Sequence, residues 1–226
     1  MYKRQALWEG GSPHIIDPET LETLGTKTWS SQTAGLPFSA HARHDEAGNL
    51  WSVGYSAEPA FLIIQKVSAA GELTALQAIP QDVMAMVHDF VLTPSKLIVL
   101  LPPFLADQDG ERGFLNRFTW HGSQATRVLV FDRADLNLVR EFELPALWLF
   151  HFGNAYETAA GTLVCDFAKH EDVSFMTHDS YAVMDGSWHG HVSAGMTYSQ
   201  LELNLITGQA ELQSCLLYTS PSPRDA

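Results

Sequence analysis

The apolar positions of this chain fall in short runs, not at helical spacing. Leu50-Trp51-Ser52-Val53, Lys96-Leu97-Ile98-Val99-Leu100 and Thr162-Leu163-Val164-Cys165 are compact and largely apolar. Each is entered through a turn-forming stretch: Asp45-Glu46-Ala47-Gly48-Asn49, Thr93-Pro94-Ser95 and Thr158-Ala159-Ala160-Gly161. Apolar runs of this length, bounded by Gly, Pro, Asn, Asp and Ser, read as strands. No sustained 3.6-residue period stands out, so the pattern predicts an all-β chain.

The runs form a degenerate repeat. In its first half a histidine leads through a turn to an apolar strand, and His41, His88 and His151 occupy that position. In its second half an outer hairpin turns at Asp17-Pro18-Glu19-Thr20, Ser68-Ala69-Ala70-Gly71, Asp132-Arg133-Ala134-Asp135 and Asn204-Leu205-Ile206-Thr207-Gly208. Asp, Asn and Gly suit such reversals because they tolerate the backbone angles required. Four strands per unit at unequal spacing predicts part of a β-propeller, with about three to four blades present. A β-sandwich is the alternative, but it gives no reason for histidine at equivalent repeat positions. If each histidine opens the channel-lining first strand of its blade, the three imidazoles aim at one axial point and suggest a metal site.

Two stretches break the rhythm, Leu101–Trp120 and His170–Gly195. Long loops in a compact domain are usually functional or disordered. The first holds Pro102-Pro103-Phe104-Leu105 and Phe114-Leu115-Asn116-Arg117-Phe118, and reads either as core cover or as an apolar lip. The second is rich in His, Ser and Gly and reads as a surface loop carrying His170, His178, His189 and His191.

Composition narrows the function. The 226 residues suffice for one large domain, and 46% are hydrophobic, which suits a globular chain and not a disordered one. The formal charge of −13 argues against nucleic-acid binding, because an acidic surface repels phosphate. No apolar run is long enough to span a bilayer, and no signal peptide is evident. Two cysteines, Cys165 and Cys215, make no disulfide framework and fit a reducing cytoplasm. Residues 1–5 (MYKRQ) and 214–226 (SCLLYTSPSPRDA) do not continue the neighbouring pattern and resemble translated adapter sequence. They are expected to be scars flanking a domain over residues 6–213.

Four segments carry a resemblance. They are Leu7-Trp8-Glu9-Gly10-Gly11 with Asp17–Gly25, Phe38-Ser39-Ala40-His41, Val87-His88-Asp89-Phe90 with Thr93, and Phe150-His151-Phe152-Gly153-Asn154-Ala155-Tyr156-Glu157. In this order they resemble the motifs of carotenoid cleavage oxygenases. That resemblance implies a seven-bladed propeller in which axial histidines hold Fe(II). By resemblance, His41, His88 and His151 are three of four metal ligands, and Glu9 is the carboxylate that holds His88. It also implies O₂-dependent cleavage of a carbon–carbon double bond in a carotenoid, apocarotenoid or stilbene-like substrate. The fourth histidine and two further glutamates would lie beyond Gln213. The chain is thus expected to be about half of a parent enzyme, incomplete as an iron site and inactive alone. The apolar stretch Leu101–Phe118 would become the lip of a substrate tunnel in peripheral contact with a membrane.

The other candidates have plainer readings. Asp89 would point away from the centre if it sits on a strand, so it takes no role. Glu157 either supports the site or makes a structural hydrogen bond. His14, His44 and His121 lie near turns and read as solvated. The cluster Ala146-Leu147-Trp148-Leu149-Phe150 lines an apolar cavity or is core. Two other functions stay open: a non-catalytic propeller that binds ligands, and a related enzyme that isomerises a retinoid.

Overall fold

The computed structural model describes residues 4–107, 117–190 and 195–214. Strands are the dominant regular element of the described chain, joined by turns and irregular segments, as the apolar pattern predicts. Strands β1 (Arg4–Trp8), β2 (Gly11–Ile16) and β3 (Thr23–Thr26) form a three-stranded antiparallel sheet. Three four-stranded antiparallel sheets follow in chain order. The first holds β4 (Arg43–His44), β5 (Leu50–Ala57), β6 (Ala60–Val67) and β7 (Leu73–Pro80). The second holds β8 (Val91–Leu92), β9 (Lys96–Leu101), β12 (Thr126–Asp132) and β13 (Leu138–Leu144). The third holds β14 (Trp148–Glu157), β15 (Thr162–His170), β16 (Thr197–Asn204) and β17 (Ala210–Ser214). Successive four-stranded meanders are the unit of a propeller, and the chain carries a partial one.

Both interruptions sit inside a blade. Between β9 and β12 the chain makes a hairpin of β10 (Phe104–Ala106) and β11 (Phe118–Trp120). Phe104 and Phe118 are buried in it, so the described part of this stretch is core cover; Phe114 to Asn116 lie outside the described residues. Between β15 and β16 stand a helical turn, Phe175–Asp179, and the short helix α1 (Ser180–Asp185). His170 departs from the surface-loop reading: it is the last residue of β15, buried and stacked on Phe175 with ring centroids 4.3 Å apart. His178 and His189 are exposed, and His191 lies outside the described residues. Arg4 and Gln5, set aside above as foreign, pair with Ile16 and Ile15, and β17 runs through Ser214.

Two turn designs account for the repeat. Asp45–Asn49, Ser68–Glu72 and Thr158–Thr162 close in five residues, with glycine at the fourth in a left-handed conformation. Asp17–Glu22, Asp132–Asn137 and Asn204–Gln209 close in six, and the fifth residue is left-handed: Leu21, Leu136 and Gly208. The Ser68 turn therefore belongs with the first group, not with the outer turns among which its sequence placed it.

The core lies between sheets. In β9, Leu97, Val99 and Leu101 pack towards the first four-stranded sheet, against Trp51, Leu62 and Ile64. Ile98 and Leu100 pack towards the third, against Leu163, Cys165, Phe167 and Leu201. A middle sheet with both faces covered explains why β9 and β12 read as continuous apolar runs, whereas β7, at the margin, alternates. The turns at one end of the blades are also linked. Arg133 donates to Asp45 Oδ2 (2.8 Å) and to the carbonyl oxygens of Thr93 and Pro94. Glu157 accepts from Thr93 Oγ1 (2.6 Å), Ser95 N (2.7 Å) and Ser95 Oγ (3.0 Å), which gives it an inter-blade structural role.

Candidate metal centre

The fold brings His41, His88 and His151 together. One nitrogen from each can be chosen so that all three lie within 4.8 Å of one another. His41 Nε2 and His88 Nε2 are 2.9 Å apart. Ring centroids stand 4.6 Å (His41–His88), 4.6 Å (His41–His151) and 5.1 Å (His88–His151) apart, with the planes steeply inclined. His41 and His88 are half-buried, and His151 is more exposed.

The histidines do not all open strands, as their repeat positions suggested. His41 lies in a turn two residues before β4, His88 in an irregular segment before β8, and only His151 sits on a strand, within β14. The innermost strands β4 and β8 are just two residues long, and β14 is irregular in register between Leu149 and Phe152. Near the axis the blades converge, so regular pairing gives way to side-chain supports.

Those supports can be read residue by residue. Phe38 is buried, donates its N–H to Gly11 O (3.0 Å) and stacks on Trp29. Ser39 Oγ accepts from His41 N (2.9 Å), while Ser39 N donates to the buried Ser52 Oγ (2.8 Å). This holds the turn that projects His41. Gly54 makes room for it, because a Cβ there would stand 2.8 Å from Pro37 O. Glu9, buried in the turn just after β1, places Oε1 2.6 Å from His88 Nδ1. With Nδ1–H donated to Glu9, the lone pair of His88 Nε2 is left facing the centre.

Asp89 is the residue that sequence reasoning missed. It is not on a strand, so the alternation that set it aside does not apply. It is buried, and its carboxylate accepts from Arg43 Nη2 (2.7 Å), Phe90 N (2.7 Å) and Phe152 N (2.9 Å). Burial lowers the pKa of His41, with His88 and His151 acting in the same sense and Asp89 and Glu9 opposing it. A neutral imidazole is the form that binds a metal. Three imidazoles, one oriented by a carboxylate, suit a first-row divalent cation such as Fe(II), and a 2.9 Å nitrogen separation suits adjacent coordination positions at about 2.1 Å from an ion.

An apolar cavity of about 530 Å³ lies beside His151. Phe150, His151, Ala168, His170, Phe175 and Met196 line it. Phe150 is edge-on to His88 (5.0 Å), Trp148 (5.4 Å) and Phe175 (5.4 Å). Leu147, Trp148 and Leu149 are core, and Phe150 alone of that cluster reaches the cavity.

The family described as retinal pigment epithelial membrane protein matches residues 3–223. The chain belongs to this family. Among its curated members, the chain is 30% identical over 172 residues to the apocarotenoid-15,15'-oxygenase of Synechocystis, covering 67% of this chain and 34% of that protein. It is 28% identical over 172 residues to resveratrol cleavage oxygenase 1 of Aspergillus fumigatus, covering 74% and 34%. The chain thus spans about a third of the length of these curated relatives. Among solved structures, the lignostilbene dioxygenase of Pseudomonas brassicacearum superposes with a TM-score of 0.75 at 24% identity, over 94% of this chain and 45% of that one. That likeness fixes the fold, and it is the fold of other family members, including a cobalt-substituted Synechocystis oxygenase (TM-score 0.72, 22% identity, 95% and 47% covered). No helix among the described residues is long and apolar enough to cross a membrane.

Proposed function

We propose that this chain is the three-histidine part of a non-haem Fe(II) dioxygenase that cleaves a carbon–carbon double bond of a conjugated, largely apolar alkene. The observation that carries the reading is the convergence of His41, His88 and His151, with His88 held by Glu9. His41, His88 and His151 would hold the ion. Iron, when bound, supplies the chemistry by which O₂ attacks the alkene. The chain's own groups do the rest. Neutral imidazoles leave the ion its full charge. Glu9 keeps His88 in the tautomer whose Nε2 faces inward. Phe150 and Phe175 present flat apolar faces, and Met196 an apolar side chain at the rim, to a conjugated substrate.

Relatives of the chain include apocarotenoid, resveratrol and isoeugenol oxygenases, and a carotenoid, apocarotenoid or stilbene-like alkene suits the cavity beside His151. By the family resemblance, a fourth histidine and two further glutamates would complete the site in the parent protein, and this chain would be inactive alone.

Two measurements test the reading. Isothermal titration with Fe(II) under anaerobic conditions should show one site in the 226-residue chain, lost in His41→Ala, His88→Ala and His151→Ala. Equal binding by all three variants would sink the metal assignment. Reading the gene past Gln213 should reveal the fourth histidine and the two glutamates. The uninterrupted protein should then consume O₂ with a conjugated alkene and yield two shorter carbonyl products.

A further inference from the structure

We infer that Asp89 is a positioning residue that ties the three histidine-bearing segments into one unit. This rests on the metal-centre reading above and extends it to a group outside the donor set.

The three histidines belong to segments of three different blades: His41 precedes β4, His88 precedes β8, and His151 lies on β14. Backbone pairing cannot set their mutual spacing, because β4 and β8 are two residues each and β14 loses register between Leu149 and Phe152. Asp89 supplies the missing link. It lies next to His88 in sequence. Its Oδ2 takes Arg43 Nη2 (2.7 Å), two residues after His41, and Phe152 N (2.9 Å), one residue after His151. Its Oδ1 takes Phe90 N (2.7 Å) and fixes its own rotamer. Arg43 Nε closes the link by donating to Phe90 O (2.5 Å). One buried carboxylate therefore reaches a neighbour of every histidine.

The chemistry requires a carboxylate. Asp89 faces three donors and offers two acceptor oxygens. Asparagine keeps the shape but has one acceptor, and its NH₂ would face a donor. Buried donors left unmatched push the segments apart. Coordinating groups need to be held within about 0.5 Å of the productive geometry, so a small shift registers at the ion.

Cobalt(II) titration of the 226-residue chain, followed by visible d–d absorption, tests this together with thermal unfolding of the metal-free protein. Asp89→Asn should weaken cobalt binding by about tenfold or more and shift the d–d bands. Arg43→Gln, whose side chain is partly exposed, should move affinity and bands in the same direction to a smaller extent. A purely structural role would lower the unfolding temperature but leave the affinity and spectrum of the folded variant unchanged, and that result overturns the inference. If Asp89→Asn does not fold, Arg43→Gln decides: wild-type affinity and bands in it overturn the inference. Failure of the unsubstituted chain to bind cobalt would instead overturn the metal reading itself.

Discussion

His88 and Glu9 show how much can hang on one hydrogen bond. Removing the charge in Glu9→Gln should weaken Fe(II) binding by about 10- to 100-fold, measured by anaerobic titration, while the fold persists. Unchanged affinity would mean that Glu9 does not orient His88. Acid sensitivity also belongs at this scale. Burial alone would raise Asp45 and Glu157. Hydrogen bonds from Trp51, Asn49 and Arg133 to Asp45, and from Thr93 and Ser95 to Glu157, overcome it and hold both below their ordinary values. Their support is present above about pH 4 and is lost as pH falls through the lowered folded values. His170 acts earlier. Burial lowers its pKa, with Asp172 opposing, so the unfolded imidazole takes up a proton first. Stability should begin to fall as pH drops below about 6.5. Urea midpoints of His170→Phe between pH 7 and 5 should fall less steeply than those of the unsubstituted chain; an identical slope would contradict a neutral buried His170.

Among the elements, the six-residue turns offer a clean comparison. Leu21 and Leu136 both have φ of 61°, a conformation that costs a side chain about 1–2 kcal/mol. Leu21 is 75% exposed and Leu136 only 5%. Leu21→Gly should therefore stabilise by up to about 1 kcal/mol, the relief exceeding the backbone entropy that glycine adds. Leu136→Gly should destabilise by about 1–3 kcal/mol, because a buried leucine is worth more than the strain it carries. Opposite signs in chemical denaturation would be the signature. Gly54→Ala is expected to destabilise the His41 segment, since its Cβ would meet the Pro37 carbonyl. The turn residues that mark these elements were plain in the sequence. What was not plain was that β4 and β8 stop after two residues, because strand length near the axis is set by how closely the blades converge.

For the whole molecule, the middle sheet is the keystone of the described structure. Ile98 is fully buried on the face towards the third sheet, and Ile98→Ala should cost about 2–5 kcal/mol in urea unfolding. Cys165 lies in the same inter-sheet core, and burial pushes its thiol up to about 12. In a Cys215→Ser background, Cys165 should react with a thiol reagent only as fast as the protein unfolds. Rapid labelling of the folded chain would mean that the two sheets separate locally.

The sequence by itself determined the strand class and the histidine-led repeat, because turn residues and apolar runs are local, while the family resemblance of its ordered motifs pointed to His41, His88 and His151 and to Glu9 beside His88. Tertiary structure decided the rest. Alternation along a strand could not foresee Asp89, since its segment is irregular and its partners, Arg43 and Phe152, come from other blades. Nor could loop composition foresee His170, whose burial depends on Phe150 and Phe175 closing over it. The distances among the histidines likewise arise only where three sheets meet, for no local rule of the backbone connects residues in separate blades.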